Sequence, residues 1–231
     1  MYLEPIAFAK TPFSQKFGIP RQGAGLSKAR GEIHFAKDID PILACDGLMQ
    51  FSHCWLLFEF HAHRPVNSEN RSKHLQVRPP RLGGNKKIGV FASRSSFRPN
   101  RIGMSLVKVL KLENNILYVQ GIDLLTHTPI IDIKPYIVYS DSLPDATSDY
   151  AQVPPEIRLQ VKFDEHLNHI LNEIETRHPG IVELAEDIIS YDPRPAYKAA
   201  KQDDKVYHLR LYEVEFHFIV RESSAYVNNI T

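Results

Sequence analysis

Between residues 6 and 139 the chain alternates short strand-forming stretches with Gly- and Pro-bearing turns, and only one stretch, 39–48, has convincing helical spacing. The strand-like segments are 6–11, 31–36, 51–63, 88–92, 104–112, 116–122 and 129–139, all rich in Val, Ile, Leu, Phe or Tyr. Many strands, one short helix and Gly/Pro turns do not make the alternation of strand and helix that a doubly wound sheet needs. The expected fold is therefore a β-barrel or sandwich for residues 1–141. Neither Gly-x-Gly-x-x-Gly nor Gly-x-x-x-x-Gly-Lys-Ser/Thr occurs, which argues against a Rossmann-type or P-loop nucleotide site.

The second half reads differently. Residues 142–155 are rich in Ser, Pro, Asp and Ala and form a linker by composition. Residues 156–231 form a small α+β unit. In it, 157–163 reads as a strand. Residues 164–177 have helical spacing at Leu167, Ile170, Leu171 and Ile174. His178-Pro179-Gly180 breaks that pattern, 181–190 is a second helix, and 191–197 is turn-rich. Residues 206–221 read as a strand with a bend, and 225–230 as another.

Charge separates the halves as well. The net formal charge is +1, but residues 1–141 carry 19 Lys and Arg against 11 Asp and Glu, and residues 142–231 carry 9 against 16. Opposite signs suggest different partners for the two units. Between Arg64 and Lys111 there are twelve Lys or Arg and one acid, Glu69. These cations alternate with glycines, prolines and strand formers, so they are expected on a rigid surface that meets phosphates at fixed positions. Residues 64–87 show no periodicity, and a loop of that length in a small domain is usually functional or disordered. Arg94, Arg98 and Arg101 lie between Gly89 and Gly103, where the backbone can approach a ligand closely.

Cys45 and Cys54 have neither the number nor the spacing of a disulfide framework or zinc site, and read as free, buried thiols of a reducing compartment. No run of about 18 apolar residues is present, and the opening residues lack the pattern of a secretory leader. A cytoplasmic protein with no membrane partner is expected. His53, His61, His63 and His74 lie close in sequence. His61 and His63 would face one way on a strand, as metal ligands could, but no carboxylate or thiolate partner has convincing spacing. Histidines that bond or contact a ligand are expected there, and no metal.

Together these segments are specific. Phe17-Gly-Ile-Pro-Arg-Gln22, Asp46-Gly-Leu48 with Phe51-Ser-His-Cys-Trp55, Val77-Arg-Pro-Pro-Arg-Leu-Gly-Gly84, Gly89-Val-Phe-Ala-Ser-Arg94, Phe97-Arg-Pro-Asn100, Ile102-Gly-Met-Ser105 and Asp132-Ile-Lys-Pro-Tyr136 resemble, in order and spacing, the TrmO (YaeB/TsaA-like) family of bacterial tRNA adenine-37 N6-methyltransferases. Leu143-Pro-Asp-Ala146 and Asp192-Pro-Arg-Pro-Ala-Tyr197 resemble its C-terminal domain. The chain departs from the family pattern at Arg101, where Pro is frequent, and at Thr126-His127-Thr128-Pro129, where Asp-Gly-Thr-Pro is frequent.

The resemblance implies a β-barrel enzyme that uses S-adenosyl-L-methionine, works as a homodimer, and methylates N6 of N6-threonylcarbamoyladenosine beside the anticodon of threonine-type tRNA. The cofactor-contacting positions it implies are Pro20, Arg21, Gln22, His61, Ala62, Arg94, Met104 and the loop Asp123, Leu124, Leu125, Thr126, His127 and Thr128. The acceptor nitrogen needs its proton shared, and Asp123 and Asn100 are the candidate groups. Arg78, Arg81, Lys86, Lys87, Arg98 and Arg101 are candidates for contact with the anticodon stem-loop. Two other readings use the same residues. One is a non-catalytic RNA-binding protein on the basic surface. The other is a metal-dependent hydrolase built on His53, His61 and Asp123.

Overall fold

The computed structural model describes residues 3–20, 22–23, 27–62, 75–195, 198 and 203–231. The strands are β1 (Ala7–Lys10), β2 (Arg30–Phe35), β3 (His53–Glu59), β4 (Gln76–Val77), β5 (Ile88–Gly89), β6 (Ile102–Glu113), β7 (Ile116–Gln120), β8 (Pro129–Pro135), β9 (Gln160–Phe163), β10 (Asp203–Leu211), β11 (Val214–Arg221) and β12 (Ser224–Ile230). The α-helices are α1 (Pro41–Ala44), α2 (Val138–Asp141), α3 (Asn168–Arg177) and α4 (Ile181–Ser190).

Six strands close a barrel in the order β1-β2-β7-β6-β3-β8. Every pairing is antiparallel, and β8 returns to β1 through Ala7–Ile130. Closure leaves no open edge. Alternation decides what fills the barrel: Cys54, Leu56 and Phe58 of β3 point inward, and Trp55 and Leu57 point out. Ile33, Val107, Leu117, Val119 and Ile130 complete the interior. Burial pushes the Cys54 thiol up to about 12, so it packs as an apolar group; neither Cys54 nor Cys45 is bridged.

The second sheet has the order β10-β11-β12-β9, with β9 parallel to β12. Helix α4 turns Ile181, Leu184, Ala185, Ile188 and Ile189 inward, the spacing of one helical face. Its first turn is capped by Glu175, which accepts from the amides of Gly180 (2.6 Å) and Val182 (3.2 Å). The Asp192–Arg194 pair is buried on both sides, with Nε to Oδ1 at 2.7 Å and Nη2 to Oδ2 at 2.9 Å.

Several elements are shorter than their sequence pattern. Asp40 caps α1, accepting from Ile42 N at 2.9 Å, and Pro41 fits its first turn. The chain then leaves the α conformation at Cys45 and tightens into a 3₁₀ turn at Leu48–Gln50, so 39–48 is not one helix. β8 ends at Pro135 and gives way to α2, and β5 passes into a 3₁₀ turn at Val90–Ala92. Residues 206–221 are a hairpin rather than one bent strand. Tyr212 holds the turn at φ 55°, and Leu211 faces Val214.

The two sheets share one apolar core. Residues 11–18 join them: Phe13 is fully buried, Phe17 stacks on Tyr207 with centroids 6.4 Å apart, and Tyr212 N donates to Pro12 O at 2.7 Å. The same residues brace the loop after β7. Thr11 Oγ1 donates to Leu124 O at 2.8 Å, and Thr126 N donates to Phe13 O at 2.7 Å.

Candidate active site

β7 ends at Gln120, and the chain runs on from Gly121 through the buried Ile122 and Leu124 into the loop before β8. Asp123 sits in this loop between the two, its side chain half-buried at the cleft. Ser105 of β6 donates its hydroxyl to Asp123 Oδ1, and the amide of Gly23 donates to the same carboxyl. Burial nonetheless dominates and pushes the Asp123 carboxyl up to about 6, against the opposing pull of these donors and of Arg94. A Cβ at Gly23 would overlap the carbonyl of Gly121, so only glycine lets the two backbones meet here.

Around this carboxyl lies a cleft of about 270 Å³, lined by Gln22, Gly23, Trp55, Arg94, Met104, Ser105, Leu106 and Asp123. Arg94 Nη1 donates to Gln22 Oε1 at 2.7 Å and closes one side. Four expected cofactor-contacting residues, Gln22, Arg94, Met104 and Asp123, thus meet at one place. Gly23, Trp55, Ser105 and Leu106 were not singled out from sequence. Ser105 carried a legible signal: it occupies an inward position of β6, between Gly103 and Val107, where a hydroxyl needs a partner.

The other expected positions do not line that cleft. His61 and Ala62 follow the end of β3, and Lys16 Nζ donates to Ala62 O at 3.1 Å. Burial lowers the His61 pKa, with the charges of His127 and Lys16 lowering it further and Glu59 opposing, so these groups share one neighbourhood. Leu124 is buried in the core and presents its carbonyl to Thr11. Thr126 Oγ1 accepts from Thr11 N at 3.3 Å, and Thr128 Oγ1 donates to Leu125 O at 2.6 Å. These side chains shape the loop. Pro20 and Leu125 are half-buried beside it. Arg21, His63 and His74 lie outside the described residues.

The basic positions divide into two kinds. β4 and β5 pair as a short ribbon whose connection carries Arg81, Lys86 and Lys87. Arg78, Lys86 and Lys87 are exposed, with no ion pair among the described residues. Arg81 instead donates to Val153 O, and Tyr150 donates to Ala92 O at 3.0 Å, so 142–155 lies along this ribbon. Arg98 donates to the carbonyls of Val90 (3.2 Å) and Ser93 (2.8 Å), which fixes the segment carrying Arg94. Arg101 pairs with Glu59 at 2.7 Å. Asn100 is exposed on the turn between Arg98 and Arg101 and does not line the cleft.

A site on His53, His61 and Asp123 fails on geometry. His53 opens β3 and His61 lies beyond its end, so the six strand residues that follow His53, about 20 Å, separate them.

Known proteins place the chain. The tRNA-methyltransferase O N-terminal domain matches residues 8–142, and the TrmO C-terminal domain matches residues 156–231. The tRNA (adenine(37)-N6)-methyltransferase of Escherichia coli is 38% identical over 229 residues, covering 95% of this chain and 93% of that one. A Pseudomonas aeruginosa protein described as a putative S-adenosylmethionine-dependent methyltransferase, RcsF, is 40% identical over 217 residues, covering 94% and 91%. The crystal structure of TrmO from Pseudomonas aeruginosa superposes with a TM-score of 0.82 at 33% identity, covering 100% and 98% of the two chains. With both domains matched and the barrel shared, the chain belongs to the TrmO family.

Proposed function

We propose that this protein is an S-adenosyl-L-methionine-dependent methyltransferase acting on N6 of adenine 37 of tRNA. The observation that carries the reading is the Asp123 carboxyl, held at about 6 on the floor of a cleft whose rim is Arg94 and Gln22. The donor set fits the cofactor: the Arg94 guanidinium for a carboxylate, and Met104 and Leu106 for a flat apolar ring. The cleft takes part of such a molecule, since ligand pockets usually run from about 300 Å³ upward.

Bound there, S-adenosyl-L-methionine supplies an electrophilic methyl group on a sulfonium. The residues of this chain hold the acceptor and manage its proton. The Asp123 carboxyl, oriented by Ser105 and the Gly23 amide, receives the proton of an N6–H group; a pKa near 6 suits that task at neutral pH. Asn100, exposed outside the cleft, is not assigned the proton. Trp55 offers an aromatic face of the kind on which a splayed base stacks. Arg78, Lys86 and Lys87 face solvent and suit phosphates of the anticodon stem-loop. Phe91 and Phe97, 74% and 60% exposed beside Arg94, suit a subunit contact that would place the cleft near a homodimer interface. A cytoplasmic location follows from that substrate, and no helix among the described residues is long and apolar enough to cross a membrane.

Nucleoside mass spectrometry of tRNA treated with purified protein and cofactor tests this reading. The expected product is an N6-methylated adenosine derivative at position 37. Supplying tRNA with and without the threonylcarbamoyl group shows whether that group is the substrate handle, as proposed here. Asp123→Asn is expected to cut kcat by about 10²–10⁴-fold. Absence of any methylated product with the intact protein overturns the proposal.

A further inference from the structure

On the outward face of the C-terminal sheet, far in sequence from the cleft, three side chains converge. His208 and His217 are direct cross-strand partners in β10 and β11, and Glu215 lies two residues before His217 on the same face. Glu215 Oε2 is 3.1 Å from His208 Nδ1 and 3.2 Å from His217 Nε2, and one ligand atom from each residue falls within 4.8 Å of the others. The two rings lie 4.4 Å apart, tilted by 59°. Thr231 Oγ1 is 3.3 Å from His217 Nε2.

We propose that His208, Glu215 and His217 form a site for a zinc-class divalent transition metal. Tetrahedral zinc with bonds of about 2.0–2.1 Å sets its ligand atoms roughly 3.3 Å apart. The two contacts made by Glu215 already have that spacing. Two imidazoles and one carboxylate suit zinc, copper or nickel and disfavour magnesium or calcium. The backbone preorganises the set: the His208–His217 register is fixed by the strand pairing, and the Glu215 backbone exchanges hydrogen bonds with Thr231 at 2.8 and 3.1 Å. His217 is the least exposed of the three at 19%, against 49% for His208. The open side leaves room for water as the fourth ligand. Arg210, opposite Glu215 on the same face, opposes the metal's charge and holds the affinity below that of a closed structural site. A bound ion would clamp the β10–β11 hairpin, the element against which Gln15 and Phe17 are packed.

The test is zinc titration of the full chain, stripped with chelator, against a chromogenic zinc indicator at neutral pH, with cobalt(II) absorption as a second probe. One zinc per chain is expected, with a Kd at or below about 10 μM. The His208→Ala/His217→Ala double variant should bind at least about tenfold more weakly. Glu215→Gln should weaken binding and alter the cobalt spectrum. Far-ultraviolet circular dichroism of each variant checks that the sheet is intact. Failure to bind zinc below about 100 μM overturns the site. So does a loss of less than tenfold in the folded double variant, which would assign the binding to other histidines.

Discussion

The hydroxyl of Ser105, inside β6, donates to a carboxyl oxygen of Asp123 on the turn after β7. This bond joins the barrel core to the cleft and orients an acid that burial keeps partly protonated near neutral pH. The folded pKa of about 6 lies above the ordinary 3.8, so the folded state holds this proton more tightly than the unfolded chain. The stability it contributes is complete below pH 4 and is lost as pH rises through 6. A shift of about two units corresponds to about 3 kcal/mol. Asp123→Asn removes the titration, so the variant should gain stability relative to the parent between pH 4 and pH 8. Urea unfolding at both pH values measures this.

His127 occupies the left-handed region at φ 62°, at the position where the family frequently has glycine. A non-glycine residue there costs about 1–2 kcal/mol, and glycine returns part of that as unfolded-chain entropy. His127→Gly should therefore raise stability by about 0.5–1 kcal/mol, read as a higher Tm. If His127 also contacts the cofactor, the same variant will bind it more weakly, which calorimetry would show.

Lys86 and Lys87 project from the β4–β5 ribbon without ion-pair partners among the described residues, whereas Arg98 is tied to Val90 and Ser93. Replacing both lysines with alanine should weaken tRNA binding and lower the slope of log K against log salt by about 1–2. Cofactor affinity should stay unchanged. Arg98→Ala should instead weaken cofactor binding, because the segment carrying Arg94 loses its internal fastening. Filter binding across a salt series, paired with calorimetry, separates the two effects.

The Asp192–Arg194 pair is 1% and 2% exposed at its side chains. Arg194→Met leaves the carboxylate of Asp192 buried without its counter-charge. The expected cost is about 3–5 kcal/mol of unfolding free energy, measured with urea. Adding Asp192→Asn should recover part of it, because asparagine removes the charge while it tolerates φ 53° and keeps an acceptor for the Arg194 amide.

The strands were legible because their β-branched and aromatic composition is local, whereas closure into a barrel rather than a sandwich came from the family resemblance. Residues 51–63 announce a buried strand as one continuous apolar run, while the choice of Cys54, Leu56 and Phe58 as the inward set comes from the pairing. The hairpin at Tyr212 was hidden because Val206–Arg221 alternates apolar and polar residues with no break in the pattern, and its turn lacks glycine, proline or asparagine. Gln22, Arg94, Met104 and Asp123 were found as a group through family resemblance, since nothing local predicts that they meet. Arg98 and Arg101 looked like phosphate ligands because their partners, two backbone carbonyls and Glu59, leave no mark at those positions.

The packing of residues 11–18 on the C-terminal hairpin bears on how the protein could be divided. A side chain at Gly18 would overlap Leu209, and Phe17 lies flat on Tyr207. A barrel severed after residue 142 would uncover this greasy seam along the segment that also steadies the loop holding Asp123. Truncation would show itself first as poor solubility, and an inactive fragment would say little about whether the missing half takes part in the chemistry.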